Sequence, residues 1–146
     1  MKDNGIKSMG TTAAMVRFSE NEIEICNIGD SRIYLIDNES ITQLSVDHTV
    51  IIGSIKPRRI LTQHLGIPEE EMLIEPYCNT MEFPENSTII ICSDGLTDML
   101  SDEEIQKTVC STEIKSTAKE LYNSAMKNGG TDNISIIAVR YGESNE

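Results

Sequence analysis

Residues 88–92 read Thr-Ile-Ile-Ile-Cys, an apolar run with no charged interruption, and a strand of that composition belongs where both of its faces are covered. A chain that contains such a strand must supply one layer above it and another below. The preceding sequence offers further strands. Residues 22–28 alternate Glu22, Ile23, Glu24 and Ile25 and close on Ile28, the period-two pattern of a half-buried strand. Residues 10–18 are small and apolar, and residues 32–36 are again strand-like beyond a Gly29-Asp30-Ser31 turn. This spacing predicts that 22–28 and 32–36 pair antiparallel across a tight loop, with 40–44 adding a third strand to make a meander. Residues 75–83 form a further strand candidate, separated from the apolar run by Pro84-Glu85-Asn86. Residues 47–68, with Asp47, His48, a Gly53-Ser54 break and Pro57, read mostly as loop, with a short helix over 59–65.

Helical signals come late. Ser101-Asp102-Glu103-Glu104 has the form of a capping box, with Ile105 and Val109 on one face behind it, which predicts a helix over 102–109. Residues 113–127 place Ile114, Ala118, Leu121, Tyr122 and Ala125 at helical spacing, and Gly129-Gly130 marks the stop. Residues 133–141 carry Ile134, Ile136, Ile137 and Val139, a last buried strand. Strands outnumber helices, and the helices have only a sheet to lie on. The prediction is an α+β chain with a single domain over 1–142 and a polar tail over 143–146, which suits a length of 146 residues.

Charge narrows the partners. Twenty-four acidic against 12 basic side chains give a formal charge of −12, a field that repels a polyanionic backbone, so nucleic acid is not an expected partner. A phosphorylated substrate would need a local positive charge to overcome that field. No apolar run approaches the ~18 residues of a bilayer span and the first residues lack an apolar segment, so no membrane association and a cytoplasmic protein are expected. Cys26, Cys78, Cys92 and Cys110 include no C-x-x-C pair and read as buried free thiols rather than a zinc site or disulfide frame. His48 and His64 have no zinc spacing and read as structural.

Two aspartates are placed where chemistry is possible. Asp94 follows the apolar run and precedes Gly95, and Asp132 lies in Gly129-Gly130-Thr131-Asp132-Asn133 just before the last strand. If those two strands are antiparallel neighbours, both carboxylates reach the same edge. Oxygen ligands at a strand end suit Mg2+ or Mn2+ better than zinc. The spacing leaves a second reading open, in which each aspartate is a turn former or helix cap.

Met9-Gly10-Thr11-Thr12, Asn27-Ile28-Gly29-Asp30-Ser31-Arg32-Ile33-Tyr34, Val46-Asp47-His48-Thr49, Pro57-Arg58-Arg59-Ile60-Leu61-Thr62-Gln63-His64-Leu65-Gly66, Cys92-Ser93-Asp94-Gly95-Leu96-Thr97-Asp98 and Gly129-Gly130-Thr131-Asp132-Asn133 occur in that order. The series resembles the metal-dependent protein phosphatases of the type 2C (PPM) class, most of all the bacterial serine/threonine phosphatases, over residues 9–141. The resemblance implies a PP2C-like α-β-β-α sandwich of two antiparallel sheets flanked by helices. It implies Mn2+ or Mg2+ as cofactor and a phosphorylated protein as substrate, hydrolysed by a metal-activated water without a covalent intermediate. Asp94 and Asp132 then map to ligands of one metal and act catalytically through it. Gly95 and Asn133 support them, and Arg58 and Arg59 are candidates for holding the phosphorylated substrate, with a solvated basic pair as the alternative. Arg32 and Asp30 read as structural, Asp30 shaping its turn.

The resemblance is incomplete. The family's arginine-bearing first segment and its Asp-Gly-x-Gly-Gly loop have no counterpart in residues 1–8, and only residues 50–56 stand where a longer flap is usual. The fold is therefore expected to be N-terminally incomplete and the chain to act as the C-terminal portion of such an enzyme, with little activity by itself. The alternative expectation is an inactive paralogue that works as a binding module. Sheet surface left bare predicts self-association or a partner.

Overall fold

The structure is a computed structural model that describes residues 9–54, 57–68 and 70–140. The predicted tail over 143–146 and the end of the last strand at Tyr141 lie outside these residues. Two antiparallel sheets stack to form the body. The first has the order β1-β2-β7, from β1 (Ala13–Phe18), β2 (Glu22–Ile28) and β7 (Tyr77–Glu82). The second has the order β4-β3-β8-β9, from β4 (Ile41–Gln43), β3 (Arg32–Ile36), β8 (Thr88–Cys92) and β9 (Ile136–Arg140). A separate two-stranded ribbon joins β5 (Thr49–Ile52) to β6 (Arg58–Leu61).

The apolar run is β8, the strand between β3 and β9, with Cys92 opposite Arg32 on one side and Ile136 on the other. Its alternation sends Ile89 and Ile91 toward the other sheet and Ile90 and Cys92 toward the helices. Strand β3 divides the same way. Ile33 packs with Ile23, Ile25, Phe83 and Ile89 between the sheets, while Tyr34 and Ile36 join the helical side. That helical side is built from α1 (Asp94–Thr97), α2 (Asp102–Ser111) and α3 (Ile114–Lys127), which bury Leu96, Leu100, Ile105, Val109, Leu121 and Ala125 on the four-stranded sheet. Among the described residues the layers are helix, sheet, sheet, and the outer face of β1-β2-β7 carries no helix.

The capping box at α2 is formed: the Ser101 hydroxyl accepts from the Glu104 N–H at 3.3 Å and the Glu104 carboxylate accepts from the Ser101 N–H at 2.9 Å. Helix α3 runs where its periodicity predicted. However, Thr117 rather than Tyr122 shares the buried face with Leu121 and Ala125, because residue 122 is turned about 100° from residue 121.

Four expectations are corrected. Strands β2 and β3 do not form a hairpin: β2 pairs with β1 and β7, β3 with β4 and β8, and the Gly29-Asp30-Ser31 turn carries the chain between sheets. The meander is correspondingly split. Residues 58–61 are strand β6, not the start of a helix, because they pair with β5 from Ile52↔Arg58 to Thr49↔Leu61. Cys26 and Cys78 are joined in a disulfide across β2 and β7, and Cys110 is exposed, so Cys92 is the one buried free thiol among the described residues.

Candidate active site

The ends of β2 and β8 open onto a common cleft. A cavity of about 790 Å³ is lined by Thr11, Thr12, Asp30, Ser31, His64, Ser93 and Asp94, and also by Ile67, Pro68 and Met72. It adjoins a second hollow in which Asp30, His64 and Asp94 meet Arg59, Ile60, Leu61 and Asp98. A volume of this size accommodates a small ligand or a phosphorylated side chain.

Asp94 reaches the cleft because β8 ends at Cys92 and Ser93 turns the chain into α1, where Asp94 is the first residue. Asp30 reaches it in the equivalent way, one residue past Gly29 at the end of β2. Gly29 has φ +98°, and a Cβ there would collide with Thr12, so both backbone geometry and space require glycine. The loop is tied down from two sides. The Gly29 N–H donates to His48 Nδ1 at 3.0 Å, the His48 N–H donates back to the Gly29 carbonyl at 3.0 Å, and the Thr12 and Ser31 hydroxyls lie 2.8 Å apart. Asp30's carboxyl is raised above the usual carboxylate range, first by burial and then by the charge of Asp94. Two carboxylates that repel each other across a cleft are an arrangement that a cation would relieve.

The Asp132 loop is laced to the Asp94 loop. The Ser93 N–H donates to the Ser135 carbonyl at 3.1 Å, and the Ser135 N–H donates to the Ser93 hydroxyl at 3.0 Å. That hydroxyl donates to the Asn133 carbonyl at 3.2 Å. Gly95 is buried directly beneath that same carbonyl. Asp132 itself is exposed, with Oδ1 accepting from the Asn133 N–H at 2.7 Å, and stands outside the lining of the cleft. The structure therefore joins the loops of the two predicted aspartates, while the carboxylate that shares the cleft with Asp94 is Asp30.

Arg58 and Arg59 alternate across β6. Arg59 turns into the cleft region and pairs with Asp98 at 3.2 Å, whereas Arg58 is exposed away from it. Arg32 is structural, as read from the sequence: it forks onto Asp47 at 2.7–3.0 Å and donates to Tyr34 Oη at 2.9 Å, and Tyr34 in turn donates to Asp102 at 3.1 Å. Asp30 and His64 are the cleft residues whose position the sequence did not reveal. Asp30 carried a usable signal, since it follows a strand end next to glycine just as Asp94 precedes Gly95.

Beside the His64 imidazole, the donors in the cleft are carboxylate and hydroxyl oxygens, which fit a hard divalent cation. Among the described residues no three His, Cys, Asp or Glu groups converge closely enough to hold a metal alone. Asp30 and Asp94 thus offer part of a coordination shell. Among the same residues, no helix is long and apolar enough to cross a membrane.

The chain is similar to known proteins over most of its length. The family description Protein phosphatase 2C matches residues 1–135. The serine/threonine protein phosphatase PstP of Mycobacterium tuberculosis is 30% identical over 141 residues, which is 90% of this chain and 27% of PstP. The structure of the S. agalactiae serine/threonine phosphatase superposes with a TM-score of 0.86 at 26% identity, over 97% of this chain and 63% of that one. The catalytic domain of PstP in complex with two manganese ions superposes with a TM-score of 0.72 at 28% identity, over 89% of this chain and 58% of that one. The chain thus spans less than two thirds of each of these relatives.

Proposed function

The chain belongs to the protein phosphatase 2C family, and from that premise we propose that it supplies part of the catalytic site of a Mn2+- or Mg2+-dependent phosphoserine/phosphothreonine protein phosphatase. The observation that carries this reading is the meeting of Asp30 and Asp94 at the ends of strands from two different sheets, beside a loop that presents Asp132. The relative crystallised with two manganese ions supports the choice of cation.

Asp94 and Asp30 would hold a cation from the cleft side, and Asp132 would reach it from the adjoining loop. Such an ion would supply Lewis-acid activation of water and would neutralise charge on a transferring phosphoryl group. The protein's own residues do the rest. Gly29, His48 and Ser31 fix the Asp30 loop, and Ser93 and Gly95 hold the Asp94 and Asp132 loops in register. Arg59, braced by Asp98, offers positive charge on the cleft wall against an overall −12, so a phosphate group meets local attraction within a repelling field. Arg58 assists only by adding to that local field.

The test is hydrolysis of an aryl phosphate and of a phosphothreonine peptide by the 146-residue chain with and without Mn2+. It is repeated with a family N-terminal segment supplied in trans. The expected result is weak or no turnover by the chain alone, Mn2+-dependent turnover after complementation, and its loss in Asp94→Ala and Asp132→Ala. Mn2+ that fails to bind the chain, together with no turnover after complementation, would replace this reading with a binding module.

A further inference from the structure

We propose that Cys26 and Cys78 form a reversible redox modification site, a cross-strand pair that cycles between dithiol and disulfide by exchange with low-molecular-weight thiols and clamps edge strand β7 onto β2.

The two residues are 52 positions apart in sequence, yet they are register partners in the β2–β7 ladder. Their Cα atoms lie 4.2 Å apart, and the structure holds them as a disulfide. Both are on the outer face of the three-stranded sheet, in a shallow hollow with Met15, Arg17, Glu24 and Thr80. Cys78 is exposed and Cys26 half-buried, so a small thiol reaches the pair without unfolding the protein. Reachable disulfides are the exchangeable ones, whereas enclosed ones resist reduction. Cys92 offers the contrast: it lies on the helical side, and burial pushes its thiol up to about 12, which leaves almost no thiolate at neutral pH.

The site has a lever. Among the described residues strand β7 is an edge, bonded in the sheet to β2 alone, and it continues from the segment that contributes Ile67, Pro68 and Met72 to the cleft wall. The covalent loop closed by the pair encloses Asp30, Arg59 and His64 and leaves Asp94 and Asp132 outside it. Oxidation therefore ties the segment that leads into β7 to the strand that leads into Asp30.

The chemistry is ordinary exchange. The accessible Cys78 thiolate attacks the sulfur of a small disulfide such as oxidised glutathione, breaking that S–S bond and releasing one glutathione thiolate, which takes up a proton. Cys26 then attacks Cys78 in the mixed disulfide, forming the protein disulfide and releasing the second glutathione. The small disulfide is reduced by two electrons as the protein dithiol is oxidised. This inference stands apart from the phosphatase reading, because the pairing of the two cysteines, their exposure and their place on β2 and β7 carry it without any metal or substrate.

The test equilibrates the chain, with Cys110→Ser to remove the other exposed thiol, in graded mixtures of reduced and oxidised glutathione. Samples are acid-quenched, alkylated and read by mass spectrometry. The expected result is that Cys26 and Cys78 lose alkylation together and regain it together, with a two-hydrogen mass change and no dimer. The oxidised form should melt several degrees higher, and its β7 amides should exchange more slowly with solvent. Cys26→Ser should leave Cys78 as a glutathione mixed disulfide without the stabilisation. Pairwise oxidation that fails across the range, a disulfide that excess reduced glutathione does not open, or unchanged β7 exchange between the two forms would each overturn the proposal.

Discussion

Gly95 sits under the carbonyl of Asn133, so close that a Cβ at 95 would fall inside 3.0 Å of that oxygen. The contact holds the loop after β8 against the loop before β9, and it leaves no room for a side chain. Gly95→Ala must push the two loops apart. Overpacking of this kind costs about 1–3 kcal/mol. The variant should lose that stability in urea unfolding and should bind Mn2+ more weakly by calorimetry. An unchanged Mn2+ affinity would separate the loop contact from cation binding.

Asp30→Asn should stabilise the metal-free chain while weakening its hold on divalent ions. Burial and the Asp94 charge raise the Asp30 carboxyl above the usual carboxylate range. A raised folded pKa gives stability that is present below the unfolded pKa and lost as pH rises through the folded one. The advantage of the Asn variant should therefore be small below about pH 4 and should grow as pH rises. Thermal melts of both proteins across that range, with and without Mn2+, check the sign.

Asp37 works the other way. Its carboxylate accepts from the Glu39 and Ser40 N–H groups at 2.8 and 2.7 Å and from the Ser40 hydroxyl, and the first two bonds hold its pKa below the usual range. A lowered folded pKa gives stability present above the unfolded value and lost as pH falls through the folded one. Asp37→Ala should destabilise the β3–β4 turn at neutral pH, and its deficit against the parent chain should shrink in acid. Urea midpoints at neutral and acid pH measure it.

Native alkylation should distinguish the two free thiols. Iodoacetamide at neutral pH is expected to label Cys110, which is exposed, and to spare Cys92, whose thiol is pushed up to about 12 by burial. Peptide mapping before and after unfolding reads the difference.

Tyr34→Phe removes a hydroxyl that accepts from Arg32 and donates to Asp102, in a side chain that is otherwise fully buried. The loss should be about 1–2 kcal/mol, concentrated where α2 begins. Hydrogen exchange should show faster opening of the first turn of α2 with little change at β1.

What could be read from the sequence was local. The alternation of 22–28, the unbroken run of 88–92 and the Ser101–Glu104 box each report their own backbone state, and each element is present. Strand partnership was not local. Both β2 and β3 present apolar faces, so a hairpin satisfies their pattern as well as the observed crossover does. The choice is made by β7 and β8, far along the chain. Strand β6 was missed because Arg58-Arg59-Ile60-Leu61 has no period of two and is a strand through its pairing with β5. The cysteine pair was hidden by the same distance. At the site, Asp94 was legible from its strand-end setting. Asp30 shares that setting, but in a Gly-Asp-Ser turn the ordinary turn role of aspartate was the simpler reading.

The central position of β8 also bears on how the protein is made. Its neighbours are β3 and β9, the latter being the last described strand. As the polypeptide leaves the ribosome, the isoleucines of β8 emerge with one flank of the strand unpaired, and they stay so while all three helices are synthesised. Until residues 136–140 arrive, this growing edge is open to whatever strand it meets first, so chaperone demand should peak between the synthesis of β8 and that of β9.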